Sequence, residues 1–307
     1  MAASNLVLIP GGGGVGRAVF EHLRARDVPV RFMVRREDER AAELNRLGAE
    51  VVIGDLTRPE TVAAALQGVA RMFFAMAVSP DHLLAATVVA SVAKEYGKLE
   101  ALVDLSQMTV SQMTATSTEE SHQQRLHWLA EQVLNWSGLP VVHIRPTVFL
   151  DTPLFTTMAA RSIQEDGTIA LSFGTGRTSP VAVDDVARVV AAGLRDPAPH
   201  IGHVYELTGP HSVDIGHWTI QRPREGRGQL RHVGSVAGRA LQHGPAAAHR
   251  TARRHHGPAA PRQPLRPHSR RRRARDRHPA PLIEAFVAAR RAFYLGGVRG
   301  GGSGRAG

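Results

Sequence analysis

The stretch Leu6-Val7-Leu8-Ile9-Pro10-Gly11-Gly12-Gly13-Gly14-Val15-Gly16-Arg17-Ala18-Val19 constrains this chain more than any other. A short apolar run meets a glycine cluster, and a helix-compatible segment follows with Val19 and Leu23 on one face. Glycine suits such a turn for three reasons. It bends the chain sharply, lets backbone amides approach a pyrophosphate, and lets the helix pack close to the strand. Gly11, Gly13 and Gly16 satisfy G-x-G-x-x-G, and phosphates would sit at the helix N-terminus, where unpaired N–H groups and the dipole favour an anion. Four consecutive glycines match many glycine templates by chance, so position carries the weight: a strand-like run precedes the cluster, a helix follows, and a second strand-like run, Val28 to Val34, comes at βαβ distance. The expectation is a dinucleotide-binding βαβ unit; the alternative is a flexible glycine turn.

Charge divides the chain. Its net of +11 averages two different parts: residues 1–217 hold 18 Lys and Arg against 24 Asp and Glu, whereas residues 218–307 hold 20 against 3. Cysteine is absent, which excludes disulfides, thiolate metal sites and a cysteine nucleophile. No apolar run approaches the roughly 18 residues a membrane span needs, and no basic start with a long apolar core marks a signal peptide. A cytoplasmic protein with no membrane role is expected.

In chain order, Val30-Arg31-Phe32-Met33-Val34 reads as a second strand ending at Arg35-Arg36. The end of this strand faces the adenosine ribose in a Rossmann unit, where an acid binds the 2′-OH of NAD and arginine accepts the 2′-phosphate of NADP. Two arginines stand there, so NADP(H) is favoured over NAD(H), although Glu37, Asp38 and Glu39 follow at once and oppose it. Residues 38–47 read as a helix stopped by Gly48, and Val51-Val52-Ile53 as a third strand before Gly54-Asp55-Leu56-Thr57. Thr57 and Glu60 have capping-box spacing for a helix to Leu66, and Asp55 is either an adenine contact or a turn aspartate. Met72 to Ala75 is the fourth strand, residues 81–96 a helix ending at Gly97, and Leu102 to Ser106 the fifth strand. Residues 107–120 suit a loop over the cofactor. Glu120 to Trp136 is the next helix, with Leu126, Leu129, Ala130, Val133 and Leu134 at helical spacing, and Val141 to Ile144 the sixth strand, stopped by Arg145-Pro146. The alternation implies an α/β fold with a doubly wound parallel sheet whose ligands bind at the carboxyl ends of the strands.

The glycine turn, the arginines after the second strand, "VVIGDLTRPETVAAALQGV", "ALVDLSQ", "LAEQVLNWSGLPVVHIRPTVFLD", "SPVAVDDVARVV" and "HVYELTGP" occur in one order. Together they resemble the NmrA-like branch of the atypical short-chain dehydrogenase/reductases, over roughly residues 4–217. The resemblance implies an NADP-binding Rossmann domain, residues 1–150, with a small substrate-binding lobe of which 151–217 would be a part interleaved with the Rossmann domain. It carries cofactor roles onto Gly11, Gly13, Gly16, Arg35, Asp55 and Ala75. With the neighbouring Gly14, Val15, Arg36 and Leu56, and with His127, these form the expected cofactor set. One departure is Pro10, where many relatives have glycine.

Carbonyl reductases of the short-chain class use a Tyr-x-x-x-Lys helix, and this chain has none: its tyrosines are Tyr96, Tyr205 and Tyr294. Counting back from Glu131, His127 stands at the lysine position and Gln123 at the tyrosine position. Glutamine is no general acid. His127 is read as a cofactor contact, as a proton donor with a near-neutral pKa, or as a plain helix histidine. Ser106 either orients substrate or nicotinamide, or caps its own loop. Gln107, Met108 and Met113 would line the pocket. Asp184-Asp185 reads as an N-cap and first-turn acid pair, and the scattered histidines give no metal-ligand spacing.

The tail departs from all this. In residues 221–280, 39 of 60 positions are Gly, Ala, Pro or Arg, with no aromatic residue and five from Val, Leu and Ile. Such a segment cannot bury enough apolar surface to offset its ordering entropy, so 218–280 reads as a disordered, basic, low-complexity stretch. Arg270 to Arg273 would suit nucleic acid, but no stacking aromatics or folded motif accompany them. The mixture matches GC-rich DNA read in a wrong frame, so 219–278 is expected to be an out-of-frame insert. Residues 281–295 then restore an amphipathic helix. The leading function is NADPH-dependent hydride transfer to a small conjugated acceptor such as a quinone or azo compound, which needs little acid assistance. The alternative is a regulatory NADP-binding sensor that works through a partner protein.

Overall fold

A computed structural model describes residues 5–219, apart from 12, 78, 119–120, 159–160, 162–167, 171–176, 211 and 215–216. The basic segment and the proposed frame-shifted stretch, apart from Trp218 and Thr219 at their start, and the terminal helix lie outside the described residues.

Seven strands form one parallel sheet. They are β1 (Val7–Pro10), β2 (Val30–Val34), β3 (Glu50–Ile53), β4 (Arg71–Phe74), β5 (Ala101–Leu105), β6 (Val141–Pro146) and β9 (Val204–Leu207), in the order β3-β2-β1-β4-β5-β6-β9. The direction of winding reverses between β1 and β4, which both pair with neighbours in parallel register. That reversal opens a crevice at the carboxyl ends, as expected of a doubly wound sheet. The seventh strand was not assigned from sequence: its residues Val204-Tyr205-Glu206-Leu207 mix apolar and polar side chains at an edge.

Buried side chains of β1, among them Val7 and Ile9 on one face and Leu8 on the other, divide the core into two layers. On one face α1 (Gly14–Arg24), α2 (Glu39–Arg46) and α6 (Val183–Arg195) contribute Val19, Leu23, Leu44, Val186 and Val190. On the other, α3 (Pro59–Leu66), α4 (His82–Tyr96) and α5 (His122–Trp136) contribute Leu66, Val89 and Leu134. Each helix thus buries one apolar stripe against the sheet, which is what holds a layered α/β domain together. Beyond β6 come a π-helical turn, Leu154–Met158, and two small antiparallel ribbons. One joins β8 (Arg177–Thr178) to β10 (Val213–Asp214), the other β7 (Thr168–Ala170) to β11 (His217–Thr219).

Helix ends correct two sequence expectations. Thr57 does not cap α3: Arg58 is the N-cap without a side-chain bond, and Pro59 opens the helix. Thr57 instead donates from its N–H and hydroxyl to Asp55 Oδ1, at 2.9 and 2.8 Å. The aspartate two residues upstream wins because an Asx turn satisfies both donors locally. Asp184 and Asp185 lie in the first turn of α6, but its N-cap is Ala182. Asp151 Oδ2 accepts from the Val183 N–H at 2.9 Å, so a carboxylate remote in sequence does the capping. Among the described residues no helix is long and apolar enough to cross a membrane.

Candidate functional site

The carboxyl ends of β1 to β4 frame a pocket of about 140 Å³, lined by Pro10, Gly11, Met33, Arg35, Gly54, Leu56, Ala75, Met76 and Ala77. Its floor is the glycine turn. Pro10 remains in β1, opposite Met33, and Gly11 donates its N–H to the Met33 carbonyl at 2.8 Å, so the proline is accommodated within a paired strand. Gly11 and Gly14 have φ of +73° and +52°, a region costly for other residues. Gly16 is needed for a different reason: a Cβ there would stand 2.9 Å from the Gly11 carbonyl oxygen and 3.2 Å from Ile9 Cγ2. Gly13 is the N-cap of α1, without a side-chain cap, and no acid occupies the first turn. The first N–H groups of α1 are therefore left for an anion. The Val15 side chain is buried in the core, so only its backbone can face the pocket.

Two cations flank this floor. Arg35 lines the pocket, with Nε 3.8 Å from Asp55 Oδ2, and is 69% exposed. Arg40, in the first turn of α2, places a guanidinium nitrogen 3.9 Å from where a Gly13 Cβ would be. Arg36 points elsewhere, to Asp38 at 3.7 Å. Asp38 is engaged as the α2 N-cap, accepting from the Ala41 N–H at 3.0 Å, which lowers its carboxyl pKa. Asp55 is held by the Thr57 N–H and hydroxyl, and these hydrogen bonds, more than Arg35, keep its carboxyl below the usual range. One oxygen of Asp55 is thus held within the turn and the other lies toward Arg35.

Beyond β4 and β5 the strand ends become polar and buried. Ser106 is 5% exposed, and its Oγ has no hydrogen-bond partner among the described residues; nor do Gln107 Nε2 and Thr109 Oγ1. Thr109, Gln112, Met113, Thr116, Ser117, Thr118 and Gln124 line a second pocket of about 430 Å³, between the short 3₁₀ helix Met108–Gln112 and the start of α5. The Met113 expectation thus falls on a pocket wall, whereas Met108 and Gln107 are not on it.

His127 is 8% exposed and packs on His82, with ring centroids 4.3 Å apart. Burial first, and His82 second, draw its pKa down to about 4, so the near-neutral titration expected from sequence does not occur in this setting. Further along α5, Glu131 accepts a two-pronged ion pair from Arg145 of β6, with Nε at 2.9 Å and Nη2 at 2.5 Å. His143 of β6 bridges Asp104 of β5 at 2.8 Å and Asn135 of α5 at 3.0 Å. Asp104, Glu131 and His143 bring their ligand-type atoms within 4.8 Å of one another, although no sequence spacing signalled the cluster. Arg145 and Asn135 engage those atoms, which makes the cluster a set of interlocking hydrogen bonds.

The sequence reading missed Met33, Gly54, Met76, Ala77, Arg40 and His82. Gly54 carried a signal, a glycine at a strand end, and a Cβ there would meet Met33 Sδ at 2.8 Å. Arg40 and His82 carried none.

This arrangement matches known proteins. The sequence profile of the NAD(P)H-binding family covers residues 11–197, and the chain belongs to that family. The glycine turn, open helix start and flanking arginines fit the pyrophosphate and ribose of an NAD(P)H molecule. The chain is 28% identical over 211 residues to an NAD(P)H azoreductase of Xenophilus azovorans, spanning 68% of this chain and 69% of the relative. Its fold is similar to that of the Citrobacter sp. triphenylmethane reductase complexed with NADP(H), with a TM-score of 0.59 at 22% identity over 68% of this chain and 72% of that one. It is also similar to an NADPH-dependent quinone oxidoreductase of Escherichia coli complexed with NADPH, with a TM-score of 0.58 at 23% identity over 68% and 71%.

Proposed function

We propose that this chain is an NADPH-dependent oxidoreductase of the NmrA-like type, transferring hydride to a small conjugated acceptor such as a quinone or an azo compound. The observation that carries the reading is the row of buried donors after β5, namely Ser106 Oγ, Gln107 Nε2 and Thr109 Oγ1, without partners among the described residues, at the sheet edge that also bears the cofactor pocket. Unpaired buried donors cost about 1–3 kcal/mol each, and an acceptor oxygen or nitrogen gaining electron density would satisfy them. The azoreductase similarity supports the acceptor class.

In this reading Gly11, Gly13, Gly14, Gly16 and the Val15 backbone hold the pyrophosphate, while Arg35, with Arg40, takes the 2′-phosphate. Arg36, whose guanidinium stands 3.7 Å from Asp38, adds positive charge beside them. Leu56 and Ala75 pack on the adenosine side. When bound, NADPH supplies the hydride; one proton from solvent completes the two-electron reduction, giving NADP⁺ and a hydroquinone or hydrazo product. A delocalised acceptor needs no Tyr-x-x-x-Lys acid, which agrees with the absence of that pair. Segment 219–278 is a shifted frame in this account, and translating the other two frames there should restore a family-like apolar pattern.

The test is anaerobic NADPH consumption by the full chain with p-benzoquinone and with an azo dye, in the wild type and in Ser106→Ala. Turnover that falls at least about tenfold in the variant supports the reading. Tight NADPH binding without turnover on any acceptor would replace it with a regulatory sensor.

A further inference from the structure

His82 opens α4 and is 2% exposed, yet neither imidazole nitrogen has a hydrogen-bond partner among the described residues. A buried imidazole with both nitrogens idle is a cost that packing alone does not explain. Its ring lies 4.3 Å from His127 of α5 and 5.8 Å from Phe74 at the end of β4. Phe74 is followed directly in the chain by Ala75, Met76 and Ala77, which line the cofactor pocket.

We propose that His82 is a positioning residue: its ring clamps the His127 imidazole between α4 and α5 and keeps it uncharged, as a fixed N–H donor for the ligand at the carboxyl edge of the sheet. Two rings in van der Waals contact in a dry site cannot both carry charge, so each opposes protonation of the other. The other ionisable groups around the pair fit this role. Asp104 of β5 favours a charged His82, but its carboxylate is engaged by His143 of β6. Glu131 of α5 favours a charged His127, but it is engaged by Arg145 of β6. With the carboxylates thus occupied, burial and the facing ring set the charge state of His127. Protonation would drive the ring out of its dry contact and unmake the site.

The ligand-side part of this inference rests on the oxidoreductase reading, whereas the ring pair itself does not. The experiment therefore has two readouts. The first follows the imidazole C–H resonances of the cofactor-free full chain as pH falls, in wild type, His82→Phe and His82→Asn; thermal melting selects the variant that folds. The wild type should show His127 titrating near pH 4, in a step coupled to His82. In His82→Phe, which keeps the site dry and removes the competing charge, the His127 midpoint should rise above that of the wild type yet stay below the ordinary imidazole value of about 6.5, because burial, the larger cause, remains. The second readout is the pH profile of kcat/KM for NADPH oxidation by p-benzoquinone, whose acid limb should move upward together with that midpoint. An unchanged His127 midpoint in the folded variants overturns the clamp. A shifted midpoint with an unmoved acid limb overturns its link to the site. Absence of turnover in the wild type would fall on the oxidoreductase reading, while the resonances still decide on the clamp.

Discussion

Gly16 shows how narrowly single atoms set this site. Its missing Cβ leaves 2.9 Å to the Gly11 carbonyl oxygen, so Gly16→Ala must displace either the turn or α1. The expected cost is about 1–3 kcal/mol in stability, with weakened cofactor binding, read by thermal melting and calorimetric titration. Arg35 carries a different expectation. Arg35→Gln should raise the Kd for NADP⁺ about tenfold or more and leave that for NAD⁺ nearly unchanged, because only the former brings a 2′-phosphate to a charge-assisted bond. Gly11 and Gly16 were legible because glycine after a strand has few reasons to cluster, and Arg35 because strand ends face ligands in this topology. His82 was not, because a lone histidine at a helix start has no pattern that marks its neighbours. The pKa expected for His127 failed for the same reason: burial and a facing ring belong to the tertiary structure.

At the scale of elements, α5 is the informative one. Its apolar spacing announces an amphipathic helix, yet the face toward β5 and β6 also carries His127, Glu131 and Asn135 at four-residue steps. Each meets a polar partner from another element, His82, Arg145 or His143 respectively. Periodicity reports which face is buried and is blind to partners that arrive from other elements. Glu131 is 1% exposed, so Arg145→Met should leave a buried, unpaired carboxylate and cost about 3–5 kcal/mol in chemical denaturation. Adding Glu131→Gln should recover part of that loss. The imidazoles predict a pH dependence of definite sign. His127 titrates near 4 in the fold and near 6.5 unfolded, so the unfolded chain binds its proton first. Stability is therefore complete above about pH 6.5 and declines as pH falls through 4, by on the order of 3 kcal/mol. Buried Asp104, whose pKa burial raises, works in the opposite sense. Urea unfolding of wild type and His127→Phe between pH 7 and 4 isolates the imidazole share, and the variant should show the shallower decline.

For the whole molecule, the sheet order and its reversal between β1 and β4 put the glycine turn, Arg35 and Ala75 around one crevice. Six of the seven parallel strands follow from alternating apolar runs and helix stops, since buried parallel strands are continuous in hydrophobicity. β9 escaped because an edge strand needs no such run. The acidic body and strongly basic remainder make net charge a poor guide to partners, and membership of the NAD(P)H-binding family is the sounder one. The central claim is that this chain holds NADPH through its glycine turn and Arg35. It is tested most directly by calorimetric titration of the full-length protein with NADP⁺ and NAD⁺ under one set of conditions. The account predicts one site that binds NADP⁺ at least about tenfold more tightly, a difference of about 1.4 kcal/mol. Equal affinities, or no heat with either nucleotide, would contradict it.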